Sequence, residues 1–210
     1  MSWADVTLRE FQDALASSNP TPGGGSAAGV ALGQAAALAK MVADLTLGND
    51  KYADGWGVAE SVNTIATPLL NEGLNLAQLD SEAFDAVVAG FKLPKTTDDE
   101  KTIRREEIRN SMLGAAKVPY DTACYALNLM KLLPDLATYG NENAVSDVGV
   151  AGLLASAALK GAIFNIEINL NSLPETYGIE MRNHLPTLSN EGKILSRLCM
   201  DAVRSVLSDD

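Results

Sequence analysis

The sequence predicts an all-α protein, a single-domain bundle of about six to eight helices spanning residues 1–210. Two observations carry that prediction. Apolar residues recur at three- and four-residue spacing in segment after segment, and no stretch sustains the period-two alternation of β-branched residues that a half-buried strand needs. The two most apolar stretches, 25–47 and 146–170, are rich in alanine and glycine, which predicts helices that pack backbone against backbone. There is no internal repeat.

Thr7-Leu-Arg-Glu10 has the form of a capping box, and Val6, Leu8, Phe11 and Leu15 follow with helical spacing, so a first helix runs to about Ser17. The stretch Pro20-Thr-Pro-Gly-Gly-Gly-Ser-Ala-Ala-Gly29 then forbids helix with two prolines and frees the backbone with three glycines. A second helix starting at Ser26 contains Gly25, Gly29 and Gly33, a double G-x-x-x-G. Its alanine content, together with Lys40 and Asp44, points to close packing in a protein core rather than to a membrane span. A third helical region covers about 58–88, with Pro68 kinking or splitting it. The polar loop 92–101 ends in Thr97-Asp98-Asp99-Glu100, which caps a fourth helix continuing to Pro119. A further segment, Asp121 to Leu133, ends at Pro134. The helix from Ser146 to Leu170 draws its N-cap from Ser146 or Asn143, and a last helical region, 175–207, is interrupted at Pro186.

Composition excludes several functions. The net charge of −11 and pI near 4.5 lack the basic stripe that nucleic acid or an anionic membrane surface requires. Two distant cysteines, Cys124 and Cys199, and one histidine, His184, support no disulfide scaffold, no common zinc cluster and no histidine-based triad; none of the three is given a role. The cysteine usage and the acidic N-terminal segment fit a cytoplasmic protein.

Four places look like chemistry. Gly23, Gly24, Gly25 and Ser26 present bare backbone N–H groups at a helix N-terminus, which suits an anion but equally describes a capped core helix after a tight loop. Asp80 has Ala83, Phe84 and Val87 at i+3, i+4 and i+7, so on a helix it faces the apolar side. It is then either a carboxylate whose pKa burial raises, as a general acid/base requires, or the cap of a helix beginning at Ser81. Asn141, Ser146 and Asp147 form a polar cluster ahead of the second small-residue helix. Six of the sixteen basic residues, Lys95 and Arg104 among them, fall between 92 and 109, with five acids interleaved. A solvated helix face accounts for them, and they also offer an anion-binding patch.

Taken together and in order, the motifs Pro20-Thr-Pro-Gly-Gly-Gly-Ser26, Asp80-Ser-Glu-Ala-Phe-Asp85, Leu93-Pro-Lys95, Val118-Pro119, Gly140-Asn-Glu-Asn-Ala-Val-Ser-Asp-Val-Gly-Val-Ala151 and Phe164-Asn-Ile-Glu-Ile-Asn169 resemble the cyclodeaminase/cyclohydrolase family of folate enzymes. That family includes the C-terminal domain of formiminotransferase-cyclodeaminase and stand-alone methenyltetrahydrofolate cyclohydrolases. The resemblance covers nearly the whole chain. It implies an all-helical homodimer acting on a tetrahydrofolate substrate, without metal or redox cofactor. It implies that Asp80 is catalytic and that Gly23, Gly24, Gly25, Ser26, Lys95, Asn141, Ser146 and Asp147 bind substrate, the glycine loop and the Asn141/Ser146/Asp147 cluster lining one cleft. The sequence has no attached formiminotransferase domain, and its 140–147 segment is closer to the stand-alone cyclohydrolases. Cyclohydrolase activity is therefore the first expectation and cyclodeaminase activity the second, with a non-catalytic helical subunit as a third.

Overall fold

The computed structural model describes residues 2–208. They form seven α-helices and two 3-10 turns, and no strand. Helices α1 (Leu8–Leu15), α2 (Gly24–Thr46), α3 (Trp56–Phe91), α4 (Asp98–Met130), α5 (Leu133–Tyr139), α6 (Val145–Asn171) and α7 (Ile179–Ser208) follow in that order. The turns Asp50–Gly55 and Glu142–Ala144 precede α3 and α6.

The predicted capping box at Thr7 is present, and the cap predicted at Thr97 is a capping box as well. Thr7 and Glu10 close α1, and Thr97 and Glu100 close α4, each pair satisfying backbone donors that a helix start leaves open. The helix boundaries depart from expectation where proline or a cap was read as punctuation. Pro68, Pro119 and Pro186 lie inside α3, α4 and α7, which run through them. Helix α4 thus joins the two segments that Pro119 was expected to separate, and α7 is not interrupted at Pro186. An interior proline forfeits one backbone hydrogen bond, and the packing of helices 30 or more residues long offsets that loss. Pro134, expected to end a helix, starts α5, where its missing N–H costs nothing. Neither Ser146 nor Asn143 caps α6: the 3-10 turn leads directly into it, and Asn141 caps that turn instead.

The small-residue helices sit at the centre. Helix α2 packs between α3 and α6, α4 lies against α6 and α3, and α7 closes over α6 and α5. Helices α2 and α6 are long and apolar enough to cross a membrane by length and composition, yet more than half of each is buried inside this bundle. The glycines explain how closely α2 and α3 approach. A Cβ on Gly29 would lie 2.8 Å from the Gly73 carbonyl oxygen, and one on Gly73 would lie 2.7 Å from the Gly33 nitrogen. No side chain fits between these antiparallel backbones. One turn N-terminal to Gly29, at Gly25, the same stripe meets Asp80.

Candidate active site

Asp80 stands in the interior of α3, so it is not a helix cap. Its neighbour across the interface is the first turn of α2, close enough that a Cβ on Gly25 would sit 2.1 Å from Asp80 Oδ1. The Ser26 hydroxyl, fully buried, donates to Asp80 Oδ2 at 2.9 Å. Oδ1 accepts from no side chain among the described residues. The anion attracted to the start of α2 is therefore the protein's own carboxylate. Gly25 is glycine because the carboxylate occupies the place of a side chain.

Burial pushes the Asp80 carboxyl above the usual carboxylate range, and hydrogen bonding from the Ser26 hydroxyl and backbone holds back part of that rise. The carboxylate opens on a cavity of about 210 Å³ lined by Pro20, Thr21, Gly23, Gly24, Gly25, Phe84, Ala115, Asn165 and Asn169. Among the described residues, no other ionisable group lines it.

Asn165 and Asn169 stand one turn apart on α6, and their amide groups are committed. Asn165 Nδ2 donates to the Gly161 carbonyl at 2.8 Å; Asn169 Nδ2 donates to the Asn165 and Ala115 carbonyls at 2.8 and 3.1 Å. The Ala115 carbonyl is available because the residue four positions on is Pro119, which has no N–H to give it. The proline inside α4 thus anchors an asparagine of the cavity wall. With both amide hydrogens of Asn169 engaged, its side-chain oxygen is the group left to accept a hydrogen bond from an occupant.

A second, larger groove of about 530 Å³ continues along the same three helices, lined by Phe91 of α3, Met112 of α4 and Ser172 at the end of α6. Lys95, Lys101, Arg104, Arg105 and Arg109 also line it, and no carboxylate does. Among the described residues, Lys101 alone of these has an acidic partner, Asp98. Arg104 donates to the Phe91 carbonyl at 3.1 Å and lies over the Phe91 ring, while Arg109 lies over the Tyr177 ring. Cations left unpaired in a chain of net charge −11 make this groove electrostatically distinct from the rest of the surface.

The expected site residues therefore divide. Gly23, Gly24, Gly25 and Ser26 gather round Asp80, and Lys95 lies in the adjoining basic groove. Asn141, Ser146 and Asp147 do not share that cleft within the chain. Asn141 binds the other end of α2, donating to the Leu45 carbonyl at 3.1 Å, with Thr46 accepting from its backbone N–H at 3.0 Å. Twenty residues of helix, about 30 Å, separate Thr46 from Ser26. Ser146 is exposed and Asp147 half-buried in the first turn of α6. Turn and helix-end hydrogen bonds account for Asn141.

Phe84, Asn165 and Asn169 stand in motifs that carry the resemblance, but sequence alone does not name them as site residues. The signal for the asparagines was two amides spaced i, i+4 on one face of α6.

A profile of the formiminotransferase-cyclodeaminase family matches residues 7–184. The chain is 36% identical over 200 residues to a methenyltetrahydrofolate cyclohydrolase of Methylorubrum extorquens, covering 95% of this chain and 96% of that protein. It is 28% identical over 208 residues to the formimidoyltransferase-cyclodeaminase of Rattus norvegicus, of which it spans 38%. The crystal structure of a formiminotetrahydrofolate cyclodeaminase from Thermotoga maritima superimposes with a TM-score of 0.80 at 29% identity, over 98% of each chain. On its motifs, its fold and these matches, the chain belongs to the formiminotransferase-cyclodeaminase family.

Proposed function

We propose that this protein is a methenyltetrahydrofolate cyclohydrolase, converting 5,10-methenyltetrahydrofolate and water to 10-formyltetrahydrofolate. Asp80 carries the chemistry in this reading: it is a half-buried carboxylate, bonded on one oxygen by Ser26, in a cavity with no other charged group among the described residues. The likeness to the Methylorubrum extorquens enzyme over nearly the full length of both chains supports the substrate.

The methenyl carbon bridges two nitrogens as an amidinium cation. An anionic Asp80, half-buried at the cavity wall, stabilises that charge and accepts a proton from the water that attacks the carbon. Asp80 then returns the proton to N5 as the carbon–N5 bond breaks, which leaves the formyl group on N10. Water's other proton leaves the carbinol oxygen for solvent as the formyl C=O forms, so the cation and water give the neutral formyl product and one released proton, with Asp80 regenerated and no metal or redox cofactor in the reading.

The ring of Phe84, 42% exposed, offers a face for a flat bicyclic ring, and the carbonyl oxygen of Asn169 accepts from its N–H groups. The anionic glutamate tail of the folate runs into the adjoining groove, where Lys95, Arg104 and Arg109 receive it. The glycine loop shapes the cavity rather than binding the tail, since Asp80 already occupies the start of α2.

Formimidoyltetrahydrofolate cyclodeaminase is the second reading, favoured by the Thermotoga maritima structure and the vertebrate relatives. There the folate nitrogen replaces water as the attacking group, ammonia leaves, and Asp80 moves the same proton. A homodimer goes with either reading. Its support is the apolar stripe that α6 turns outward, where Phe164 and Ile168 are 68% and 67% exposed. Sedimentation as a monomer at micromolar concentration would count against it. We place the protein in the cytoplasm, where the cysteine usage fits and folate chemistry runs.

The test of function is direct. Purified protein accelerates loss of methenyl absorbance, and Asp80→Asn does not. A wild-type protein inert toward the methenyl substrate but releasing ammonia from formimino-tetrahydrofolate would give the second reading precedence.

A further inference from the structure

The Ser26 hydroxyl that holds Asp80 does not stand alone. Its oxygen lies 3.1 Å from Ser81 Oγ, and Ser81 Oγ accepts the indole N–H of Trp3 at 3.0 Å. Ser26 and Ser81 are 0% and 5% exposed, so water does not compete for these bonds.

The two ends of the chain of bonds set its direction. An indole nitrogen only donates, and an ionised carboxylate only accepts. With Asp80 ionised, the Ser26 proton points to Oδ2, so the 3.1 Å bond is donated by Ser81, whose own oxygen takes the Trp3 N–H. Each hydroxyl accepts from one side and donates to the other. Such head-to-tail bonds polarise one another in the same sense. The alternative acceptor for Ser81, the Ala77 carbonyl, lies at 3.4 Å and is the weaker bond.

Trp3 is itself held in place. Its backbone N–H donates to Gln78 Oε1 at 3.0 Å, and its ring meets Phe11 edge-on with centroids 5.7 Å apart. Because α3 carries Gln78, Ser81 and Asp80 within one turn, the N-terminal segment is fastened to the helix that bears the carboxylate.

We propose that Trp3 and Ser81 are positioning residues for Asp80: through Ser26 they deliver a directed hydrogen bond to Oδ2, keeping the carboxylate ionised and its Oδ1 turned to the substrate. The proposal rests on the catalytic role given to Asp80 above. No competing charge obscures it. Ser26 is the group that α2 contributes, Ala115 comes from α4, Asn165 and Asn169 from α6, and none of these titrates. Glu82 and Asp85, the nearest carboxylates along α3, are exposed, and Glu82 accepts from Gln78.

Trp3→Phe removes the N–H and keeps an aromatic ring against Phe11; Ser81→Ala removes the middle hydroxyl; Phe11→Leu disturbs the packing and leaves the bonds. Trp3→Phe is expected to lower kcat about three- to tenfold with KM changed less than about twofold, and Ser81→Ala to lower kcat further. In both variants the acid limb of the pH profile of kcat/KM moves to higher pH, because the ionised form has lost support. Phe11→Leu lowers Tm and leaves the acid limb where it is in wild type.

If Trp3→Phe keeps the wild-type kcat and acid limb while Asp80→Asn is inactive, Trp3 is packing only and the proposal falls with the function intact. If Asp80→Asn retains activity, the catalytic reading falls first. Should Ser81→Ala not fold, the Trp3→Phe profile decides alone.

Discussion

The two ends of α2 meet the same problem and solve it differently. Each exposes unsatisfied backbone groups beside a glycine-containing loop and polar side chains, and each carries a motif of the family. At the C-terminal end every partner is internal. Asn141 donates to the Leu45 carbonyl, Trp56 Nε1 donates to the Thr46 carbonyl at 3.1 Å, and the buried Thr46 hydroxyl donates to the Val42 carbonyl while accepting from Asn141. Gly140 is tight against the Leu136 carbonyl, 2.4 Å from where a Cβ would stand. A hollow of about 410 Å³ lies beside it, lined by Gly140 and Glu142, but Asn141 and Thr46 do not line it. At the N-terminal end a carboxylate is brought into a site that penalises its charge, supported by the hydroxyl and backbone of Ser26, and opened to a cavity. Polar residues that satisfy one another build structure, whereas a buried charge with an open side is equipped for chemistry.

The largest effect that separates the two ends is at Asp80. Asp80→Asn keeps the shape and removes the base, so kcat should fall by about 10²–10⁴-fold with the fold retained. Its stability runs the other way. Burial raises the folded-state pKa of Asp80, so the carboxyl favours folding below its unfolded pKa, and that contribution is lost as pH rises through the folded value. Asp80→Asn should therefore unfold at a higher Tm than wild type at pH 7, with the margin shrinking as the pH is lowered toward the carboxylate range. A lower Tm at pH 7 would show that the carboxylate is structural, like Asn141.

Gly25→Ala comes next. The added methyl claims the position of Asp80 Oδ1, so it should reduce kcat at least about tenfold and cost about 1–3 kcal/mol of stability. Chemical denaturation together with steady-state rates separates the two losses. Asn141→Ala tests the opposite end: it should cost about 1 kcal/mol in denaturant unfolding and leave kcat and KM as in wild type. A large loss of kcat at unchanged stability would return Asn141 to the active site. The smallest effect is expected in the basic groove. Arg104→Ala should raise KM by about three- to tenfold, with kcat unchanged, and the difference should shrink in high salt.

Much of this was legible in the sequence. The caps at Thr7 and Thr97, the glycine stripe and the inward face of Asp80 are local or periodic features, and local geometry alone brings them out. The association of the Gly23–Ser26 loop with Asp80 came from the family resemblance, and the structure supplies its physical reason in the 2.1 Å clearance at Gly25. Within one chain Asn141, Ser146 and Asp147 lie away from that loop, which composition could not show, because polar clusters look alike along a sequence. Only the length of α2 shows that they sit at opposite ends.

Pro119 marks the boundary between the two kinds of information. By itself the sequence determined a helical chain with small-residue helices and one carboxylate on an apolar face, because periodicity, capping and side-chain size act over a few residues. It also read Pro119 as a stop, since a missing N–H is a local defect. The tertiary structure decided that α4 continues and that the carbonyl left open at Ala115 takes the amide of Asn169, 54 residues away. It likewise decided that Ser26, Ser81 and Trp3 converge on Asp80. A buried polar group must find a partner, and which partner it finds depends on the packing of helices rather than on distance along the chain.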